Sequence, residues 1–323
     1  MEAEMGLLPE GCIANVISLT TPRDACRLSS VSTVFKSAAE SDAVWERFLP
    51  PDYPTLLSDA ASSSSSSSSL HFSSKKELYF SLCHNPILID EGKKSFSLDK
   101  RSGKKCYMIS ARDLLIVWGD TPTYWRWTSV PEARFVSFIR GFYLFIYYSF
   151  FMSVKIYCLH QKYRFPEVAE LICVCWLEIR CKINTRSLSP RTLYAAYLVY
   201  KPTAGSYGFE YQPVDASVGV VGSESQTRTV YLDAERGQRQ RYHYPRRIGL
   251  FNRSRRQASM PKENDGCYPK ERDDEWLEIE LGDFLNKEDE DGELEMSVLE
   301  VAAGDWKGGL IIQGIEIRPK QGK

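Results

Sequence analysis

Trp276-Leu277-Glu278-Ile279-Glu280-Leu281 is the stretch that settles the fold class for most of this chain. Leu277, Ile279 and Leu281 fall on one side of an extended segment, Glu278 and Glu280 on the other. That period of two, with acids backing aliphatics, marks a half-buried antiparallel strand. Outward from it lie further β-rich runs at residues 107–118, 169–179, 193–200, 227–232, 294–301 and 310–317, many separated by Gly, Pro, Asn or Asp. Seven such runs without long helices predict an antiparallel β-sandwich.

The bulk composition is that of an ordinary globular protein. Its 323 residues have room for two or three domains, 43% are hydrophobic, and the formal net charge of -1 gives no global pull toward nucleic acid. Residues 1–6 carry acids rather than a basic flank, so no cleavable signal is expected. The nine cysteines form no CxxC pair, and Cys173 and Cys175 alternate as buried strand thiols would. A reducing compartment, cytoplasm and nucleus, is the expectation. His71, His84, His160 and His243 are scattered, so no metal and no cofactor is expected.

Upstream of the strands the period becomes helical. Ile13, Val16 and Ile17 follow Leu8-Pro9. Thr21-Pro22-Arg23-Asp24 supplies a capping hydroxyl, a proline at the first helical position and an acid three residues on. Leu28, Val31, Phe35 and Ala38 continue one helix face, and Ser41-Asp42 opens a short helix carrying Val44, Trp45 and Phe48. A three-helix unit of fewer than fifty residues buries too little surface to stand comfortably alone. It therefore reads as a docking module that completes its core against a partner.

Leu8-Pro9-Glu10, Ile13, Ile17, Pro22-x-Asp24, Leu28, Val31 and Trp45 together resemble an F-box, over residues 3–50. The resemblance implies a substrate-receptor subunit of a cullin-type ubiquitin ligase, docking a Skp-type adaptor and through it a cullin. It would place Leu8, Pro9, Ile13, Ile17, Leu28, Val31 and Trp45 at the adaptor interface, although some of them must fill the internal core. Residues 51–104 read as a linker, with a flexible serine run at 62–69 and one short amphipathic helix at 75–83.

Within the β region, Trp118-Gly119-Asp120 and Tyr124-Trp125-Arg126-Trp127 place three tryptophans within ten residues. Indole faces pack on the C–H faces of sugars while acids accept hydroxyl hydrogen bonds. Core packing is the competing reading, preferred for Trp127 and Trp176, whereas Trp118 beside a turn could be turned either way. Residues 111–127, 168–190 and 276–320 resemble the phloem protein 2 family of plant lectins, which includes the tobacco leaf lectin. That resemblance implies a jelly-roll-like β-sandwich at 105–321 binding an N-acetylglucosamine-containing glycan or glycoprotein. It implies a site at Trp118 and Trp125 with acids at Glu293 and Glu300, Glu295 competing for one of those places. The predicted class is thus α plus all-β, a three-helix F-box followed by a lectin-like sandwich, a known plant combination. The protein itself would perform no bond chemistry: no G-x-S-x-G, HExxH or Cys/His arrangement is present. An alternative is a sandwich that has lost sugar binding and recognises a polypeptide.

Two segments depart from the pattern. Residues 237–272 read as a solvated basic loop containing Arg239, Arg241, Arg246, Arg247, Arg253, Arg255 and Arg256. Residues 135–164 interrupt the lectin-like region with an apolar run resembling a short membrane span, yet carrying Lys155. A true span would put the two halves of one sandwich on opposite sides of a bilayer, so no membrane partner is expected. The dipeptide Arg-Phe occurs at both borders, Arg134-Phe135 and Arg164-Phe165. Removing 135–164 restores Pro-Glu-Ala-Arg-Phe-Pro-Glu-Val-Ala-Glu-Leu, and the segment is read as translated intron.

Overall fold

The computed structural model describes residues 8–63, 72–129, 164–210, 212–233, 267–288 and 291–320. The serine run beyond 63, most of the apolar insert and most of the basic loop lie outside the described residues.

Six short helices come first: α1 (Glu10–Ser18), α2 (Pro22–Leu28), α3 (Thr33–Glu40), α4 (Asp42–Phe48), α5 (Tyr53–Ser63) and α6 (Lys75–His84). The long helix expected from Thr21 onward starts as predicted, with the Thr21 hydroxyl accepting from the Asp24 N–H at 3.2 Å. It then breaks after Leu28, because Ser32 turns extended and its hydroxyl caps a new helix at the Phe35 N–H. The helical unit therefore has four helices up to residue 48 rather than three. Ser74 caps α6 in the same way, and Glu77 reaches back to the Ser73 N–H at 2.8 Å.

The strands are β1 (Ile87–Ile89), β2 (Lys94–Leu98), β3 (Lys105–Ser110), β4 (Leu115–Ile116), β5 (Trp125–Ser129), β6 (Glu167–Leu171) and β7 (Leu177–Asn184). They continue as β8 (Thr192–Tyr207), β9 (Val214–Val220), β10 (Gln226–Val230), β11 (Lys270–Glu271), β12 (Leu277–Asn286), β13 (Glu293–Glu300) and β14 (Gly308–Pro319). Among the described residues they form two antiparallel sheets. The larger runs β1-β2-β3-β14-β8-β12-β11, with β6 also on β14 and β5 beyond it; the smaller runs β10-β9-β13-β7-β4.

Register shows how the alternating pattern is used. Ile279, Leu198, Ile315 and Ile109 face one another across four strands and are fully buried, forming one rank of the intersheet core. Met296, Val298, Val218 and Ala216 of the smaller sheet are equally buried in that core. The adjacent rank, Glu280, Tyr197, Glu316 and Met108, points to the outer face. There Met108 joins Phe165, Val168, Val199 and Trp276 in a second small core. Just ahead of these ranks β14 bulges between Ile312 and Gly314, and a side-chain carbon on Gly314 would lie 2.0 Å from the Ile109 carbonyl oxygen.

The same outer face carries an ion-pair network. Buried Glu316 meets Arg164 at 2.7 Å, Arg272 at 2.6 Å and Arg318 at 2.8 Å, and Glu278 shares the last two arginines. Burial alone would raise the Glu316 carboxyl, but the three guanidinium charges overcome it and hold the group well below the ordinary carboxylate range.

The segment expected to be a linker is largely structured. Strands β1 and β2 extend the larger sheet upstream of residue 105, and α6 packs between that sheet and the helical unit. The Trp45 ring lies 5.2 Å from both Tyr79 and Phe80 of α6, and the Asp42 carboxylate accepts from the Lys75 N–H at 2.7 Å. Ile17, Trp45, Tyr79, Phe96 and Ile109 belong to one continuous core. The helical unit thus completes much of its core within its own chain.

Strands β5 and β6 pair antiparallel, Ser129 opposite Glu167, on either side of the insert. Without 135–164, only Val130, Pro131, Glu132, Ala133, Arg134, Phe165 and Pro166 would join them. Arg134 would then precede buried Phe165, as Arg164 does now. No helix among the described residues is long and apolar enough to cross a membrane.

Candidate functional site

On the helical unit, packing divides the predicted adaptor residues in two. Leu8 and Pro9 are exposed at the start of α1, Val31 is 65% exposed, and Leu28 is half-buried. Ile13, Ile17 and Trp45 are interior, and the Trp45 indole N–H donates to the Ala39 carbonyl at 2.7 Å. These three do not meet a partner directly in this arrangement, because they are buried in one core with Val44, Tyr79 and Leu82. The remaining apolar surface comes from residues sequence reasoning passed over: Val16, Leu19 and Val34 are exposed. Val16 carried a readable signal, since it sits on α1 outside the Ile13/Ile17 stripe.

The second candidate lies at one end of the sandwich, where four loops are tied side by side. The turn after β4 presents Trp118, 42% exposed, with a left-handed φ of 58°. Its ring leans on Tyr124 at 5.2 Å, while the Trp127 indole N–H holds the turn from beneath through the Gly119 carbonyl at 3.0 Å. The next loop, between β6 and β7, is joined to this turn by the Ile172 N–H to the Tyr124 carbonyl at 2.9 Å. It carries Trp176, also 42% exposed, whose N–H donates to Glu178 at 2.9 Å. Hydrogen bonds from Arg180 first, then Trp176, lower the Glu178 carboxyl and keep it anionic.

On the other flank of that loop, Val174 and Lys307 exchange backbone hydrogen bonds, both at 2.9 Å. This docks the third loop, which carries exposed Trp306. A side-chain carbon on Gly208 would lie 2.4 Å from the Trp306 carbonyl oxygen, so the fourth loop, with exposed Tyr207, reaches this place only through glycine. Beneath the row, fully buried Lys307 donates to the carbonyls of Asp305 at 2.8 Å and Cys175 at 3.2 Å and pairs with Glu300. Glu300 accepts from Gln212 at 3.1 Å and from the Ala303 N–H at 3.2 Å. One buried ion pair therefore pins three of the loops. The row of Trp118, Tyr124, Trp176, Trp306 and Tyr207, with Glu178 in its midst, can stack flat apolar ring faces and accept hydroxyl hydrogen bonds.

The predicted sugar-site quartet is not brought together. Trp118 is presented, but Trp125 is 2% exposed beneath the turn and offers no face to a ligand. Glu300 is 3% exposed and supports loops rather than facing solvent. Glu293 is exposed and pairs with Lys182, but stands at the opposite end of β13, roughly 23 Å from Glu300 at ~3.3 Å per residue. Glu295 is held by Arg180 at 3.0 Å. Trp176, expected in the core, is exposed because residues 169–179 form two strands with a loop between them. Cys173 and Cys175 lie half-buried on that loop rather than buried in a strand. Trp306 was not foreseen, although Gly304-Asp305-Trp306 carries the same turn chemistry as Trp118-Gly119-Asp120. Among the described residues no group of acids, histidines and cysteines could hold a metal.

Comparison with known proteins gives these two sites a context. The F-box domain matches residues 5–47, and Phloem protein 2 matches residues 104–140 and 152–319. The break between the latter two falls inside the apolar insert. F-box protein At2g02240 of Arabidopsis thaliana is 44% identical over 97% of this chain and 79% of its own length. F-box protein PP2-B10 of the same plant is 43% identical over 96% of this chain and 92% of its own. F-box protein VBF, also from Arabidopsis thaliana, is 40% identical over 98% of this chain and 100% of its own. A solved structure of TmCBM61 in complex with beta-1,4-galactotriose covers 64% of this chain and 87% of its own at 10% identity and a TM-score of 0.25, too distant to bear on the site. The chain belongs to the phloem protein 2 family, and within it to the proteins that carry an F-box ahead of the sandwich.

Proposed function

We propose that this chain is a substrate receptor of a cullin-type ubiquitin ligase, working in the cytoplasm and nucleus. The helical unit docks a Skp-type adaptor through Leu8, Pro9, Val16, Leu19, Leu28, Val31 and Val34, with Ile13, Ile17 and Trp45 shaping that surface from within. The loop row of the sandwich captures an N-acetylglucosamine-containing glycan or glycoprotein. Bond chemistry then belongs to the partner enzymes. The observation carrying the reading is the junction: Trp45 against Tyr79 and Phe80 makes docking unit and capture unit share one core. A cargo held at the loop row would keep a set position relative to the ligase.

Two measurements test it. Wild type should retain the adaptor in a pull-down, and Leu8→Ala/Pro9→Ala should lose it; equal recovery rejects the ligase role. On a glycan array, wild type should bind and Trp118→Ala should not. Absence of any sugar ligand would favour the second reading, in which the same aromatic row takes a polypeptide. That row suits either cargo, since exposed indoles also anchor peptides.

A further inference from the structure

Strands β2 and β3 are joined by a tight turn that reads Asp99-Lys100-Arg101-Ser102-Gly103-Lys104. The Asp99 N–H donates to the Lys104 carbonyl and the Gly103 N–H to the Asp99 carbonyl, both at 2.8 Å. One carboxylate oxygen, Asp99 Oδ2, holds the tip. It accepts from the Ser102 hydroxyl at 2.6 Å, the Ser102 N–H at 2.9 Å and the Arg101 N–H at 3.3 Å. The turn belongs to the sandwich but rests on α4 and α6. Buried Tyr79 of α6 donates its hydroxyl to the Asp99 and Lys100 carbonyls, at 3.2 and 3.3 Å. Gly103 takes a left-handed φ of 69°, and a side-chain carbon there would lie 2.9 Å from the Phe48 carbonyl oxygen at the end of α4. Opening the turn would therefore take contacts from both helices. Ser102 itself is exposed. Lys100 and Arg101 precede it and Lys104 follows it, a charge pattern that protein kinases use to choose substrates.

We infer that Ser102 is a phosphorylation site for a kinase that reads basic residues around its serine, and that the phosphate unlocks the junction of helices and sandwich. In the transfer, the γ-phosphorus of ATP bonds to Ser102 Oγ while its bond to the β,γ-bridging oxygen breaks. ADP leaves with that electron pair, and the hydroxyl proton passes to the kinase's base. The product has lost the donor that Asp99 Oδ2 held, and it sets a charge of about −2 beside that carboxylate. Backbone N–H groups fix the carboxylate in place, so it cannot swing clear. Lys100 and Arg101 are exposed, and solvent screens their attraction for the phosphate. Repulsion wins, and the turn lifts from Tyr79 and Phe48.

The test needs neither adaptor nor sugar. The full chain and its Ser102→Ala variant are incubated with ATP and the catalytic fragment of protein kinase C, which takes serines flanked by basic residues. Peptide mass spectrometry should find phosphate on Ser102, and its absence there overturns the inference. Treatment should lower the wild-type melting midpoint by roughly 2–4 °C more than that of Ser102→Ala. Amides of residues 99–104 and of α6 should exchange faster in the treated wild type alone. Equal changes in the two proteins, or none, overturn the unlocking. Asp99→Asn keeps an acceptor for the turn but no charge to repel the phosphate, so it should remove at least half of the wild-type drop. A drop of undiminished size in that variant overturns the part given to Asp99.

Discussion

On the helical unit, the surface offered to a partner is what packing left over. Ile13, Ile17 and Trp45 were consumed by the interior, so Leu8, Val16, Leu19, Val31 and Val34 remain outside. At the loop end of the sandwich the reverse holds. Trp118, Trp176 and Trp306 are held outward by hydrogen bonds and by a buried ion pair, Lys307 with Glu300, that no amphipathic pattern announces. The first surface should therefore fail through loss of apolar area alone. The second should fail when polar groups beneath it are removed, even with every tryptophan in place.

The largest expected effects test that contrast directly. Glu300→Gln leaves Lys307 charged and buried without its partner, which costs on the order of 3–5 kcal/mol. Denaturant midpoints should show the loss, and glycan or peptide capture should fall with Trp118, Trp176 and Trp306 untouched. Trp45→Ala should cost a similar ~3–5 kcal/mol from its cavity, and it should loosen the junction with α6. If either variant melts like wild type, the division into buried supports and exposed contacts is wrong.

A pH titration separates the outer-face network from both sites. The depressed Glu316 carboxyl contributes stability that is fully present above the ordinary glutamate value of about 4.3. That stability drains away as pH falls below this value toward the folded-state pKa. Melting midpoints should drop more steeply below pH 4.5 in wild type than in Glu316→Gln, which has no such proton to take up. Parallel curves would remove Glu316 from the account of acid sensitivity.

Deleting 135–164 sharpens the comparison from another side. The β5–β6 pairing of Trp125–Ser129 with Glu167–Leu171 should keep its register, since an arginine would still precede Phe165 where Arg164 now meets Glu316. The shortened protein should give more soluble material and melt no lower than the full chain. Transcripts across the region should include a form lacking these ninety bases; equal yields and a single long message would contradict this. The smallest effects are at the surfaces themselves. Val16→Ser with Leu19→Ser should weaken adaptor binding and move stability by less than ~0.5 kcal/mol. Trp118→Gly should abolish capture while relieving a left-handed backbone worth roughly 1 kcal/mol.

Much of this architecture was legible from residue order because it rests on local periodicity. Leu277, Ile279 and Leu281 against Glu278 and Glu280 specify a strand and its two faces without knowledge of any neighbour. Thr21 likewise announces a helix start through a bond made within one turn. The break at Ser32 and the loop inside 169–179 were hidden, since an apolar run reads the same whether its middle is paired or turned out. The divided fate of the tryptophans was equally invisible. Trp118 and Trp125 are seven residues apart in one aromatic cluster, yet one faces solvent and the other lies beneath it.

By itself the sequence determined that a small helical docking unit precedes an antiparallel sandwich, and to which family the pair is similar. Tertiary structure decided that the two share a core through Trp45 and α6, and that Glu300 and Glu293 serve opposite ends of one strand. It also decided which indoles meet the outside. The reason is physical: secondary structure follows from side chains spaced a few residues apart, whereas exposure depends on which distant segments arrive to cover a face.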